Sequence, residues 1–350
     1  MSRTRLTIRD VARQAGVSHQ TVSRVINGGT PVTLETRALV EAAIAELGYQ
    51  PNAIARSLAA GRTNTLACLA PNLTDYTFAR IIEGAETECR QHGFFLISSS
   101  APDEAAFAAL IHELVSSRRI EGLMVINPYI DQRARHLPDR FPTVFIGGHP
   151  RGTLDVDAIT LDDCGAARSA VQHLIELGHQ RIAMITGPLV EDCVQDRIAG
   201  YRAALHEARL AAKPAMILEG DWSASSAHKA AVKLMNLQQP PTAIFAQNDR
   251  MALGALRAAR DRGLSVPGQL SVIGLDDMPL ASYFDPPLTT MRQDMFAIGR
   301  TAAQLLIRAV EQPEAGHQQL RQPAELVVRQ STGRTSTKGG GSAASKQSRR

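Results

Sequence analysis

From residue 65 to about residue 333, short apolar runs alternate with amphipathic helical stretches, and this alternation constrains the fold more than any other feature. Strands are predicted at TLACLAP, FFLISSS, GLMVINP, TVFIGG and DAITLDD, with FARIIEGAETECRQH and EAAFAALIHELVSS reading as helices between the first three. A second series runs helix CGAARSAVQHLIELG, strand RIAMITGP, helix VQDRIAGYRAALHEA, strand AMILEGD, helix SSAHKAAVKLMNL, strand TAIFAQN, helix DRMALGALRAARDRG and strand LSVIGLDD. Such alternation implies parallel sheets covered by helices on both faces. About 250 residues of it exceed one small open sheet, so two doubly wound subdomains facing each other across a cleft are expected.

Ahead of this region, Thr7 to Asn27 reads as two short helices joined by a tight turn. Thr7 and Asp10 have the spacing of a capping box, and Ile8, Val11 and Ala12 fall on one face. Gly16 supplies a residue tolerant of positive φ at the turn, and Ser18 is a suitable N-cap for the second helix. In that helix Val22, Val25 and Ile26 point inward, which leaves His19, Gln20, Ser23, Arg24 and Asn27 outside. Gln and Arg are the side chains that bond adenine and guanine in bidentate fashion, so this outer face suits a major groove. An ordinary amphipathic helical hairpin is the alternative. A third helix over 33–47 sets Val40, Ala43, Ile44 and Leu47 toward the same core and is closed by Gly48. Pro51 then breaks the chain before AIARSLAAGR.

The patterns D-V-A-x-x-A-G-V-S-x-x-T-V-S-R-V-x-N and G-Y-x-P-N-x-x-A-R-S-L resemble the headpiece and hinge of the LacI/GalR family of bacterial transcription regulators. The resemblance continues more loosely to about residue 333. It implies a small all-α helix-turn-helix headpiece and an α/β periplasmic-binding-protein-like core of two doubly wound parallel-sheet subdomains. The expected division is headpiece 1–50, hinge helix and linker 51–63, core 64–333 and a disordered basic tail 334–350. Crossings between subdomains are expected near 161–163, 289–293 and 325–330. The resemblance also implies DNA contacts by Thr7, Ser18 and Thr21, and by Asn52, Ala55, Arg56 and Leu58 of a hinge helix that forms over the minor groove. Leu58 is then the apolar wedge between central base steps.

Charge separates along the chain. Residues 1–64 hold eight Arg against four acids, residues 321–350 hold seven Lys or Arg against one Glu, and the total is +4, so the intervening part is −6. A basic surface on a small helical unit suits phosphate contact. No apolar run approaches the ~18 residues of a membrane span, and MSRTRLTIRD lacks the apolar segment of an export leader, so a cytoplasmic protein is expected. Cys68, Cys89, Cys164 and Cys193 lack metal-ligand spacing and read as packing residues. Neither a G-x-S-x-G elbow, a P-loop nor a His-rich metal pattern occurs, so no catalytic residues, metal or cofactor are expected.

Ligands of open parallel sheets bind beyond the carboxyl ends of the strands. Residues there include Phe78 after the first strand, Arg197 beyond RIAMITGP, Trp222 after AMILEGD, Asn248-Asp249 after TAIFAQ and Asp276-Asp277 after LSVIGL. The resemblance points the same way: G-P-x(8)-R-x-x-G, N-D-x-M-A-x-G and G-x-D-D match at Arg197, Asn248 and Asp276, which are effector positions in the family. Phe78 and Trp222 complete the expected effector site. Each has a structural alternative. Asp249 could cap its helix, Asp276 and Asp277 could cap PLASY, Arg197 could pair with Asp196 or Glu191, and Trp222 could be core. Where some sugar-responsive relatives carry an acid, this chain has Gly147-Gly148-His149.

The expected protein is a non-enzymatic, sequence-specific regulator, a repressor acting as a homodimer on near-palindromic double-stranded operator DNA. A sugar or related metabolite is its expected effector. The alternatives are a sugar-binding protein without a regulatory role and a corepressor-dependent regulator responding to a non-sugar metabolite.

Overall fold

The computed structural model describes residues 6–27, 32–50, 62–127, 131–148 and 156–335. Two compact units result, one formed by residues 1–64 with 118–121 and the other by the rest of the chain. Asn52, Ala55, Arg56, Leu58, His149 and nearly all of the basic tail lie outside the described residues.

The first unit holds α1 (Ile8–Ala15), α2 (His19–Asn27) and α3 (Leu34–Leu47). Thr7 donates from both its backbone N and its Oγ1 to Asp10 Oδ2, at 2.9 and 2.7 Å. Gly16 closes α1 in the left-handed region at φ 66, and Ser18 Oγ accepts from Thr21 N at 3.1 Å to open α2. The turn therefore has the local chemistry that its sequence implies. Val11, Ala12, Val22, Val25, Val40 and Ala43 are buried together, with Ile44 and Leu47 packed against them.

The second unit contains two six-stranded sheets. Its first sheet has the order β11-β5-β4-β3-β1-β2, all parallel, from β1 (Thr65–Ala70), β2 (Phe95–Ser100), β3 (Gly122–Ile126), β4 (Thr143–Ile146), β5 (Asp157–Leu161) and β11 (Gln319–Gln322). The second has the order β12-β10-β9-β8-β6-β7, from β6 (Ile182–Thr186), β7 (Ile217–Glu219), β8 (Ala243–Ala246), β9 (Ser271–Asp276), β10 (Thr289–Arg292) and β12 (Glu325–Val327). Only β12 runs antiparallel to its neighbour.

Helices α4 (Tyr76–Gln91) and α5 (Glu104–Ser116) belong to the first subdomain. The second takes α6 (Asp163–Glu176), α7 (Asp192–Glu207), α8 (Ala224–Met235) and α9 (Asp249–Asp261). The chain passes from the first sheet to the second between Leu161 and Asp163, and returns between Arg292 and α10 (Met295–Glu311), whose Met295, Ile298 and Leu306 are buried in the first core. It passes to the second sheet again between Gln322 and Glu325.

Packing of α10 against α4 requires glycine at the contact. A Cβ on Gly84 would lie 2.1 Å from Phe296 O, and one on Gly299 would lie 1.9 Å from Ile81 O. The glycines of the two long motifs do the same work. Gly200 brings α7 against Cys164 O of α6, and Gly254 brings α9 against Ala224 O of α8. No helix among the described residues is long and apolar enough to cross a membrane.

Candidate functional site

The first unit presents the outer face of α2. His19, Gln20 and Arg24 are exposed, whereas Val22 and Val25 of the same helix are buried. Thr21 and Ser23 are half-buried, and Ser18 and Thr7 are exposed at the two helix starts. Thr21 Oγ1 lies 2.9 Å from Ser18 Oγ, so these two hydroxyls hold one another at the start of α2. Asn27 ends the helix, and its side chain is outside the described residues. A short helix with an imidazole, an amide and a guanidinium on one free face can enter a major groove and bond base edges.

In the second unit, strand ends from both subdomains surround a cleft of about 410 Å³. Phe78, Arg197, Trp222, Asn248 and Asp276 all line it. The first subdomain also contributes Asp75, Tyr76 and Asn127, and the second Glu191, Asp221 and Arg250.

Arg197 is buried, and its partners differ from the two acids that its sequence neighbourhood suggests. Nε donates to Asp163 Oδ1 at 2.7 Å and a terminal nitrogen donates to Gln247 O at 2.6 Å. Burial opposes its charge, but Asp163, Cys193 and Asp276 together outweigh that and raise its pKa further. Glu191, the N-cap residue of α7, is buried at the same cleft but accepts from the Trp222 indole instead.

Trp222 is both a packing residue and a cleft residue. It packs against the two hydrophobic clusters of the second subdomain and also faces the cleft, with its indole Nε1 donating to Glu191 Oε1 at 2.8 Å. Arg197 lies over its ring at 5.7 Å. The backbone at Trp222 has φ 67, and the ring runs so close beneath Gly187 that a Cβ there would stand 2.2 Å from Cζ2. Burial pushes the Glu191 carboxyl upward, opposed by the indole N–H.

Asn248, rather than Asp249, caps α9: its Oδ1 accepts from Met251 N at 2.7 Å, and Nδ2 donates to Trp222 O at 3.3 Å. Asp249 is buried and accepts from Thr290 Oγ1 at 2.6 Å and Met278 N at 2.8 Å. Burial raises its pKa to about 7. Asp276 and Asp277 both have positive φ, 123 and 55, and this strained turn sends them in different directions. Asp277 pairs with Arg292 at 2.7 Å and Arg329 at 2.6 Å, while Asp276 lines the cleft, its pKa pushed well above the usual range by burial and by neighbouring Asp249. Neither aspartate caps the 3-10 helix Pro279–Tyr283.

Asp163, Asp221, Arg250 and Asn127 are cleft residues that the motif reading does not single out. Asp221 and Asn127 do stand just past strands β7 and β3, where that rule would have placed them. Gly147 reaches the cleft as well. Cys68 and Cys89 are packing residues, and Cys193 packs against the second core while also lining the cleft; burial raises its thiol pKa, which keeps it protonated. Among the described residues no group of three His, Cys, Asp or Glu side chains is placed to hold a metal ion.

Comparison with known proteins agrees with both units. Residues 7–52 match the model for bacterial regulatory proteins of the lacI family, and residues 171–332 match that for a periplasmic binding protein-like domain. The HTH-type transcriptional repressor PurR of Vibrio atlanticus is 34% identical over 326 residues, covering 92% of this chain and 97% of that protein. For CytR of Escherichia coli, also an HTH-type transcriptional repressor, the identity is 33% over 330 residues, covering 94% and 97%. The crystal structure of the lac repressor dimer bound to operator and the anti-inducer ONPF superposes with a TM-score of 0.86 at 34% identity, covering 94% of this chain and all of that one. A transcriptional regulator CelR–cellobiose complex gives 0.73 at 32% identity, covering 93% of this chain and all of that one. With relatives this similar over nearly its whole length, the chain belongs to the lacI family of bacterial regulatory proteins.

Proposed function

We propose that this lacI-family regulator is a cytoplasmic repressor that binds a near-palindromic operator as a homodimer and responds to a small metabolite held in the cleft. The observation that carries this reading is the pairing, in one chain, of an exposed His19-Gln20-Arg24 face with a two-subdomain cleft lined by Phe78, Trp222, Arg197, Asn248 and Asp276. Two recognition helices need two half-sites, and two-fold symmetry matches protein to DNA. Self-association is supported by apolar side chains left outside the cores. Phe95 is 73% exposed on edge strand β2, and Tyr283 is 85% exposed.

Thr7, Ser18, Thr21 and Ser23 flank the base-reading face, Asn27 ends it, and we assign to Asn52, Ala55, Arg56 and Leu58 the minor-groove contacts of the hinge. Ligand binding shifts the two subdomains and so biases the hinge, which is a two-state coupling between distant sites. Selection of duplexes from a random pool by the full chain tests this. A near-palindromic sequence should emerge and bind about 1,000-fold or more tighter than unselected DNA. Recovery of duplexes with no common sequence would end the proposal.

A further inference from the structure

One carboxylate gathers three consecutive residues just before the core begins. Glu121 Oε2 accepts from Arg62 Nε at 3.2 Å and Arg62 Nη2 at 3.1 Å, while Oε1 accepts from Asn64 N at 2.7 Å and Thr63 Oγ1 at 3.3 Å. Each oxygen takes two donors, and an ionised carboxylate is the side-chain group with acceptors on both sides to receive them. An amide would turn its NH2 toward one pair. Glu121 is half-buried and Arg62 exposed, so the acid is the sheltered member of the cluster.

Chain order gives the cluster its significance. Asn64 is the last residue before β1 and Glu121 the last before β3, and these strands are adjacent, with Leu66 in register with Gly122. Pro71 and Asn127, which follow the same two strands, line the cleft. Residues 118–121 nonetheless group with 1–64 as one compact unit, so the segment carrying the acid is packed with the linker. Asn64 turns the chain in the left-handed region at φ 47, and the bond from its N–H to Glu121 fixes that turn.

We propose that Glu121 is a positioning residue for operator binding, which holds the end of the linker where it enters the core and so sets how well two hinges meet over one operator. It does this without touching DNA. A linker fixed at one end by four hydrogen bonds searches fewer arrangements, so less order is lost when the dimer engages both half-sites. Non-specific binding, which needs only phosphate contact by each headpiece, does not draw on that restraint. The proposal rests on the reading of the chain as a dimeric operator-binding repressor.

Glu121→Gln keeps the side-chain volume and breaks the cluster. In the full-length protein, affinity for the duplex selected from a random pool should fall about tenfold, the scale of one charge-assisted hydrogen bond, while binding to a scrambled duplex changes by less than about twofold. Arg62→Gln opens the same cluster from its exposed side, and the double variant should lose no more than about the larger single loss. Unchanged affinity for the selected duplex, an equal loss on both duplexes, or single losses that add in full would each overturn the proposal. Trypsin supplies a readout free of DNA. Cleavage after Arg62, located by mass spectrometry, should quicken about fivefold or more in Glu121→Gln at a melting temperature within about 2 °C of wild type. Cleavage at the wild-type rate, or a lower melting temperature in both single variants, would overturn it equally. Failure of the repressor reading alone has a different signature, in which cleavage quickens but no duplex with a common sequence is selected.

Discussion

Arg250 at the start of α9 is ion-paired with Asp75, the N-cap of α4, so that a second-subdomain guanidinium and a first-subdomain carboxylate are joined across the mouth of the cleft. These residues are 175 positions apart in sequence. The guanidinium side chain is 43% exposed and the carboxylate 14%, so water screens the pair and its contribution to global stability is small. Arg250→Gln leaves the α4 cap intact. It should lower stability by less than about 1 kcal/mol while increasing acrylamide quenching of Trp222. Unchanged quenching would show that the pair does not govern access.

Gly187→Ala should move the indole. The added Cβ would lie 2.2 Å from Trp222 Cζ2, so the ring must leave its position against Glu191. A loss of about 1–3 kcal/mol and a shift in tryptophan emission are expected. Emission and stability equal to wild type would contradict the described ring position.

Asp249 gives the second subdomain a pH dependence with a definite sign. Its pKa is raised by burial from the usual carboxylate range to about 7. The folded state therefore binds more protons than the unfolded chain in that window, and the associated stability is present at low pH and lost as pH rises toward 7. Asp249→Asn removes this titration, although Asp276 still titrates nearby. Denaturant melts from pH 5 to 8 should show the stability advantage of wild type over variant shrinking as pH rises; an advantage that grows would reverse the assigned sign.

Gly299→Ala tests the contact of α10 with α4. Its Cβ would fall 1.9 Å from the backbone oxygen of Ile81, and a backbone atom cannot rotate away. A loss of about 3 kcal/mol or more is expected in a thermal or denaturant melt.

What could be read from sequence was local. Thr7, Gly16 and Ser18 punctuate the headpiece because capping acts over three or four residues, and strand-helix alternation reveals parallel sheets because periodicity needs no partner. The three-residue β12 and the close approach at Gly84 and Gly299 have no such local signature. In the site, strand ends identified Arg197, Trp222, Asn248 and Asp276 as cleft-lining positions, but not their partners. Arg197 meets Asp163 from 34 residues away and Trp222 meets Glu191 from 31, and these pairings exist only once the helices are placed. The sequence offered Asp249 as a cap for α9, but Asn248 takes that place because Thr290 and Met278 N claim Asp249.

Arg24 provides the most direct test of the account, because it stands exposed on the outer face of α2 with donor geometry for guanine. Binding of wild type and Arg24→Ala should be titrated by fluorescence anisotropy against the selected duplex and against a scrambled duplex at one fixed salt concentration. The account predicts a loss of about 1–3 kcal/mol on the selected duplex, relaxed preference at one position of each half-site, and little change on the scrambled one. An equal loss on both would make Arg24 a phosphate contact and contradict base reading by this face.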